Sequence, residues 1–134
     1  MLTKEHIRQA ITGVLEQGGP SVNSSFNCMY RGENGRKCAL GHLIKDKYYS
    51  PDLENACVGT DDINKALMLS LNISDLSTED QSILYRLQQC HDMLSTYNDS
   101  EKFRKDFIAE LNEEHCKTIP PFLREVLDEF KETA

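Results

Sequence analysis

Seven residues carry the side chains best suited to chemistry: Cys28, Tyr30, Arg31, Cys38 and His42 in one block, His91 and Asp92 in another. A cysteine nucleophile needs a base within hydrogen-bond reach and a third group to orient that base. Cys38 with His42, or Cys28 with His91 and Asp92, would supply such a set. His91-Asp92 on its own is an acid/base pair built on the side chain that titrates nearest neutrality. A second grouping, Cys28, Cys38, His42 and Cys57, offers four nitrogen and sulfur ligands for tetrahedral zinc. Its spacing is Cys-x9-Cys-x3-His-x14-Cys, without the Cys-x2-Cys knuckle of zinc modules. Cysteine is also a common small core residue. The expectation is therefore no metal and no cofactor, with zinc as the minor alternative and no catalytic residue assigned.

Arg31, Arg36, Lys37, Lys45 and Lys47 form a candidate basic patch, edged by Tyr48 and Tyr49. Residues 1–47 hold seven Lys/Arg against four Asp/Glu, and residues 48–134 hold eight against eighteen. A local basic patch on an acidic body would suit a phosphate or an acidic partner. No Walker-type loop and no Gly-x-Gly-x-x-Gly run accompanies it. Two solvated faces of different sign are the simpler reading.

These side chains must be positioned by helices and one hairpin. Thr3 is a natural N-cap for a helix with Ile7, Ala10, Ile11, Val14 and Leu15 on one face, stopped at Gly18-Gly19-Pro20. At Phe26, Cys28 and Tyr30 the apolar period changes to two, which predicts a hairpin over residues 26–39 with Phe26, Cys28 and Tyr30 on its inner face. Glu33-Asn34-Gly35 would be its loop, with Gly35 left-handed, and Tyr30 would face Cys38. Ala39–Ile44 reads as a short buried helix in which Gly41 lets the hairpin approach. Ser50-Pro51, Thr60-Asp61 and Ser77-Thr78 read as helix starts, Asn98-Asp99-Ser100 breaks the longest helix before one marked by Phe103, Phe107, Ile108 and Leu111, and Pro120-Pro121 precedes a terminal helix. His91 falls on the apolar stripe of the longest helix, where a backbone carbonyl would be its expected partner. His115 and Cys116 sit at a helix end with no role assigned. The fold class is mainly α (α+β), one domain of five to six helices over residues 1–134 with one hairpin.

Cys28-Met29-Tyr30-Arg31, Gly35-Arg36-Lys37-Cys38-Ala39-Leu40-Gly41-His42-Leu43-Ile44 with Asp46 and Tyr49, and Leu87-Gln88-Gln89-Cys90-His91-Asp92 form a pattern. It resembles a family of small uncharacterised proteins of bacteria and their phages, over residues 28–54 and 84–94. The resemblance implies a phage or mobile-element origin and no particular activity. Where similar proteins carry a second cysteine after the glycine, this chain has His42.

The chain has 134 residues, 39% apolar and 28% charged, with a net charge of −7. Such a composition supports one packed core and argues against disorder. The negative charge disfavours general nucleic-acid binding, which relies on cations to displace counterions. No apolar run reaches the ~20 residues of a membrane helix. Five cysteines without an apolar leader point to reduced thiols and a cytoplasmic setting. The Asn-x-Ser triplets at Asn23, Asn72 and Asn98 would matter only in a secreted protein. The reading these features favour is a small acidic protein-interaction module, monomeric or a small homo-oligomer, binding another protein and more plausibly not an enzyme. The alternatives are a Cys/His/Arg pocket between the hairpin and the 78–96 helix, and a structural-zinc module.

Overall fold

The computed structural model describes residues 1–113 and 119–130. His115 and Cys116 lie outside the described residues. Among the described residues five α-helices carry the fold: α1 (Lys4–Gln17), α2 (Asp61–Leu71), α3 (Thr78–Asp92), α4 (Ser100–Leu111) and α5 (Pro121–Asp128). Short 3-10 turns cover Glu33–Gly35, Asp46–Tyr48 and Pro51–Asn55. The mainly helical class holds.

Local chemistry explains the helix ends. Thr3 accepts the His6 N–H, and His6 Nδ1 accepts the Thr3 N–H, closing a reciprocal cap on α1. Gly18 ends α1 at φ +70, where a side chain would be strained. Ser77 and Asp80 close the same box on α3, and Asp80 also takes the buried Leu2 N–H at 3.3 Å. One carboxylate thus caps α3 and ties down the chain's start.

α1 packs on α5 and α3, and α3 packs on α4. The buried faces are the expected ones: Ile7, Ile11 and Val14 of α1, Ile83, Leu84 and Leu87 of α3, Leu123, Val126 and Leu127 of α5. From α4, Phe103 and Phe107 stack with ring centroids 6.2 Å apart, and the His91 ring meets Phe103 edge-on at 6.4 Å.

The hairpin expected at residues 26–39 does not form. The described residues contain no strand, only two isolated antiparallel bridges, Val22 with Cys28 and Arg31 with Lys37. Two ladder bonds flank the Arg31–Lys37 bridge, from the Gly32 N–H to the Arg36 carbonyl at 2.9 Å and from the Cys38 N–H to the Tyr30 carbonyl at 3.3 Å, but the Tyr30 N–H that would extend the ladder goes to a side chain, and the neighbouring donors point away from it. The Glu54 carboxylate accepts the Tyr30 and Arg31 N–H groups at 2.8 and 3.1 Å, Gln17 Oε1 accepts the Lys37 N–H at 3.0 Å, and the Ser21 carbonyl accepts the Met29 N–H at 3.0 Å. Gly35 is left-handed at φ +72, and Asn34 joins it at φ 63. Ala39–Ile44 makes successive turns instead of a helix, with the Ile44 N–H on the Leu40 carbonyl at 3.2 Å. Gly41 lies flat against the Tyr30 carbonyl, which leaves no room for a Cβ.

Candidate functional site

A cleft of about 310 Å³ opens between the 28–30 segment, residues 54–58 and α3. Cys28, Tyr30 and Asp92 of the expected pocket line it, joined by Glu54, Cys57, Val58, Tyr85 and Gln88. Arg31, Cys38, His42 and His91 are not on its wall. The expected seven-residue pocket is therefore divided among a cleft, the core and a second surface.

His91 is fully buried on α3. Its Nε2 accepts the Ser21 N–H at 2.9 Å, and its Nδ1 lies 3.0 Å from Asp92 Oδ1. An amide can only donate, so Nε2 is bare and the ring proton sits on Nδ1, donated to Asp92. The partner is thus a backbone N–H and not the carbonyl expected from sequence. Gln88 Nε2 also donates to Asp92 Oδ1, at 2.8 Å. Asp92 keeps 41% of its side chain exposed and presents its charge to the cleft.

The Cys28 thiol donates to the Asp92 carbonyl at 3.7 Å. Burial first, then the charge of Asp92, pushes Cys28 up to about 12. Such a thiol stays protonated at neutral pH and is a poor nucleophile. Both nitrogens of His91 are already engaged, so His91 is not placed as its base.

Ligand atoms of Cys28, His91 and Asp92 lie within 4.8 Å of one another. A metal there would have to bind Nδ1, which forces the ring proton onto Nε2, facing the Ser21 N–H. Two donors would then point at each other. The set does not suit a divalent ion as placed. The zinc set read from sequence is not assembled: Cys57 is exposed, Cys38 is fully buried, and His42 turns to Gln17. Burial pushes Cys38 up to about 12, and its sulfur takes the Gly41 N–H at 3.3 Å.

Three of the five basic residues gather at one cleft: Arg31 faces Lys37 across their bridge and reaches Asp46, which lines that cleft with Lys37 and Lys45. The Arg31 guanidinium stacks 4.3 Å from the centre of the Tyr49 ring and reaches the Ile44 carbonyl at 3.0 Å and Asp46 at 2.7 Å. Lys47 lies over Tyr48, and Arg36 packs beside Gly19. His42 shares the cleft of Lys37 and Lys45, which is distinct from that of Cys28.

Sequence reasoning missed Glu54. Its carboxylate holds the Tyr30 and Arg31 amides and the Tyr49 hydroxyl, the last at 2.6 Å. It also misplaced Phe26, which stands 59% exposed at φ 62 instead of facing inward. Asn23 Oδ1 accepts the Ser25 and Asn27 N–H groups at 2.9 and 3.1 Å, and the Phe26 N–H reaches the Asn23 carbonyl at 3.0 Å. Asn23 is a known turn-former, and that was the one available signal. On α3, Tyr85 is 52% exposed, and Met93, two turns on, is 58% exposed.

No family model, no curated protein and no solved structure matches the chain. Among the described residues no helix is long and apolar enough to cross a membrane.

Proposed function

We propose that the chain is a protein-interaction module, of the phage or mobile-element kind its sequence resembles. Its contact face is the cleft lined by Cys28, Tyr30, Ala56, Val58 and Tyr85. Met93 follows Asp92 of the lining along the chain, and Phe26 stands two residues before Cys28.

The observation that carries this reading is Phe26. A bulky residue at positive φ costs roughly 1–3 kcal/mol and persists only where its surroundings impose it. Here Asn23 imposes it through two side-chain bonds, and the ring is turned outward. The turn that closes the Val22–Cys28 bridge needs a left-handed residue here, a position that seldom carries a bulky ring, and the exposed ring suits an aromatic anchor for a partner.

The chemistry of the lining selects the partner. Among the described residues Glu54 and Asp92 are its charged ones, and no Lys, Arg or His joins them. The body of the protein is acidic as well. A segment presenting an apolar side chain next to a Lys or Arg is complementary on both counts.

The test is selection of a displayed library of random peptides against the protein. Enriched peptides should pair an aromatic or aliphatic residue with a nearby Lys or Arg. Binding should fall about tenfold in both Phe26→Gly and Asp92→Asn. Peptides without that pairing, or peptides indifferent to both substitutions, would sink the reading.

A further inference from the structure

A second cleft, of about 510 Å³, lies on a different part of the molecule. Its wall brings together His6, Lys37, His42, Lys45 and Ser70, with Leu71 half-buried beside the core residues Leu43 and Ile44. We infer that this cleft binds a small phosphorylated molecule, its phosphate held by Lys37, Lys45 and Ser70 and its organic part laid against Leu71.

The donor arrangement carries the inference. Ser70 is 3% exposed, and its Oγ accepts the Lys45 N–H at 2.9 Å. That oxygen still has its own proton to donate. His6 Nδ1 accepts the Thr3 N–H, so in the neutral ring Nε2 carries the proton and is a second neutral donor. Lys37 and Lys45 add two ammonium groups. A dianionic phosphate takes several donors at once, and this wall offers both charged and neutral ones.

The local charge points the same way. Among the described residues Asp46 is the one carboxylate of the wall, and Arg31 engages it at 2.7 Å. The lysines are therefore left largely uncancelled, in a chain whose net charge is −7. An anion repelled by most of the surface would be held only where donors converge. His42 reports the same field: after burial, the charge of Lys37 is the next cause that depresses its titration. The volume argues for more than inorganic phosphate, because the phosphate alone would leave most of the cleft unused.

The test is a two-dimensional amide NMR titration of the full chain with inorganic phosphate, phenyl phosphate and a phosphoserine peptide. Phenyl phosphate should shift the Lys45, Ser70 and Leu71 amides in a saturable way and bind about tenfold tighter than inorganic phosphate. The double variant Lys37→Gln/Lys45→Gln, with an otherwise unchanged spectrum, should lose about tenfold or more. Small shifts spread over all lysines without saturation, or equal binding by the double variant, would overturn the site. Tighter binding of the phosphoserine peptide than of phenyl phosphate would overturn the small-molecule assignment.

Discussion

The Nε2 atom of His91 accepts the main-chain N–H of Ser21 at 2.9 Å, across seventy residues of sequence. The bond joins the end of α3 to the segment that leaves α1. Through Nδ1 it also sets the direction of the Asp92 carboxylate. His91→Leu would bury the Ser21 N–H without a partner, which costs about 1–3 kcal/mol. Urea unfolding should show that loss in the midpoint. A loss under about 0.5 kcal/mol would mean that the bond is not made in solution.

Glu54 takes the Tyr30 N–H that would extend the short ladder at Arg31–Lys37, and it holds the outward-facing Arg31 N–H as well. Glu54→Ala leaves two amides and the Tyr49 hydroxyl without their acceptor. It should destabilise the protein by about 2–4 kcal/mol, with Glu54→Gln in between because one oxygen remains. Thermal melts of the three proteins check the order. Equal melting of Glu54→Ala and wild type would show that the segment is held by something else.

Stability should fall with acid in a window set by His42. Burial first, and then the charge of Lys37, pushes its folded titration down to about 4 from the ordinary 6.5. Between those values the unfolded chain takes up a proton that the folded chain refuses. The contribution is thus complete above 6.5 and is lost as pH falls towards 4. His42→Gln should show a flatter drop in urea midpoint between about pH 7.5 and about pH 4.5 than wild type. Parallel profiles would place the acid sensitivity elsewhere.

Thiol labelling should separate the described cysteines by burial. Cys57 is exposed, whereas burial pushes Cys28 and Cys38 up to about 12 and Cys90 up to about 11. Iodoacetamide at neutral pH should modify Cys57 faster than these three by roughly two orders of magnitude. Peptide mapping by mass spectrometry reads the order. Early labelling of Cys28 would revive a reactive thiol in the cleft.

The helices were legible because their signals are local. Thr3, Ser77 and Asp99 accept the N–H three residues on, and the apolar stripes of α1 and α5 are the buried faces. The 26–39 segment was not legible, because its outcome depends on residues distant in sequence. Glu54 lies far from the alternation of Phe26, Cys28 and Tyr30, yet it takes the Tyr30 donor that would have carried the ladder beyond the Arg31–Lys37 bridge. The close approach at Gly41 was readable, since a glycine amid apolar residues marks such a contact. The Cys/His site was only half readable. Burial of His91 follows from its stripe, but its tautomer depends on where Ser21 falls in space.

The central claim is that Phe26 is held outward for a partner and contributes little to the fold. A thermal-shift titration of wild type and Phe26→Gly with a library-selected peptide tests it most directly. Glycine relieves the strain at φ 62 and gives up the ring's partial contacts. The unliganded variant should therefore match wild type within about 1 kcal/mol, where a buried Phe would cost about 3–5. The peptide should raise the melting temperature of wild type and leave that of Phe26→Gly almost unmoved. A strongly destabilised variant, or equal peptide shifts in both proteins, would contradict the account.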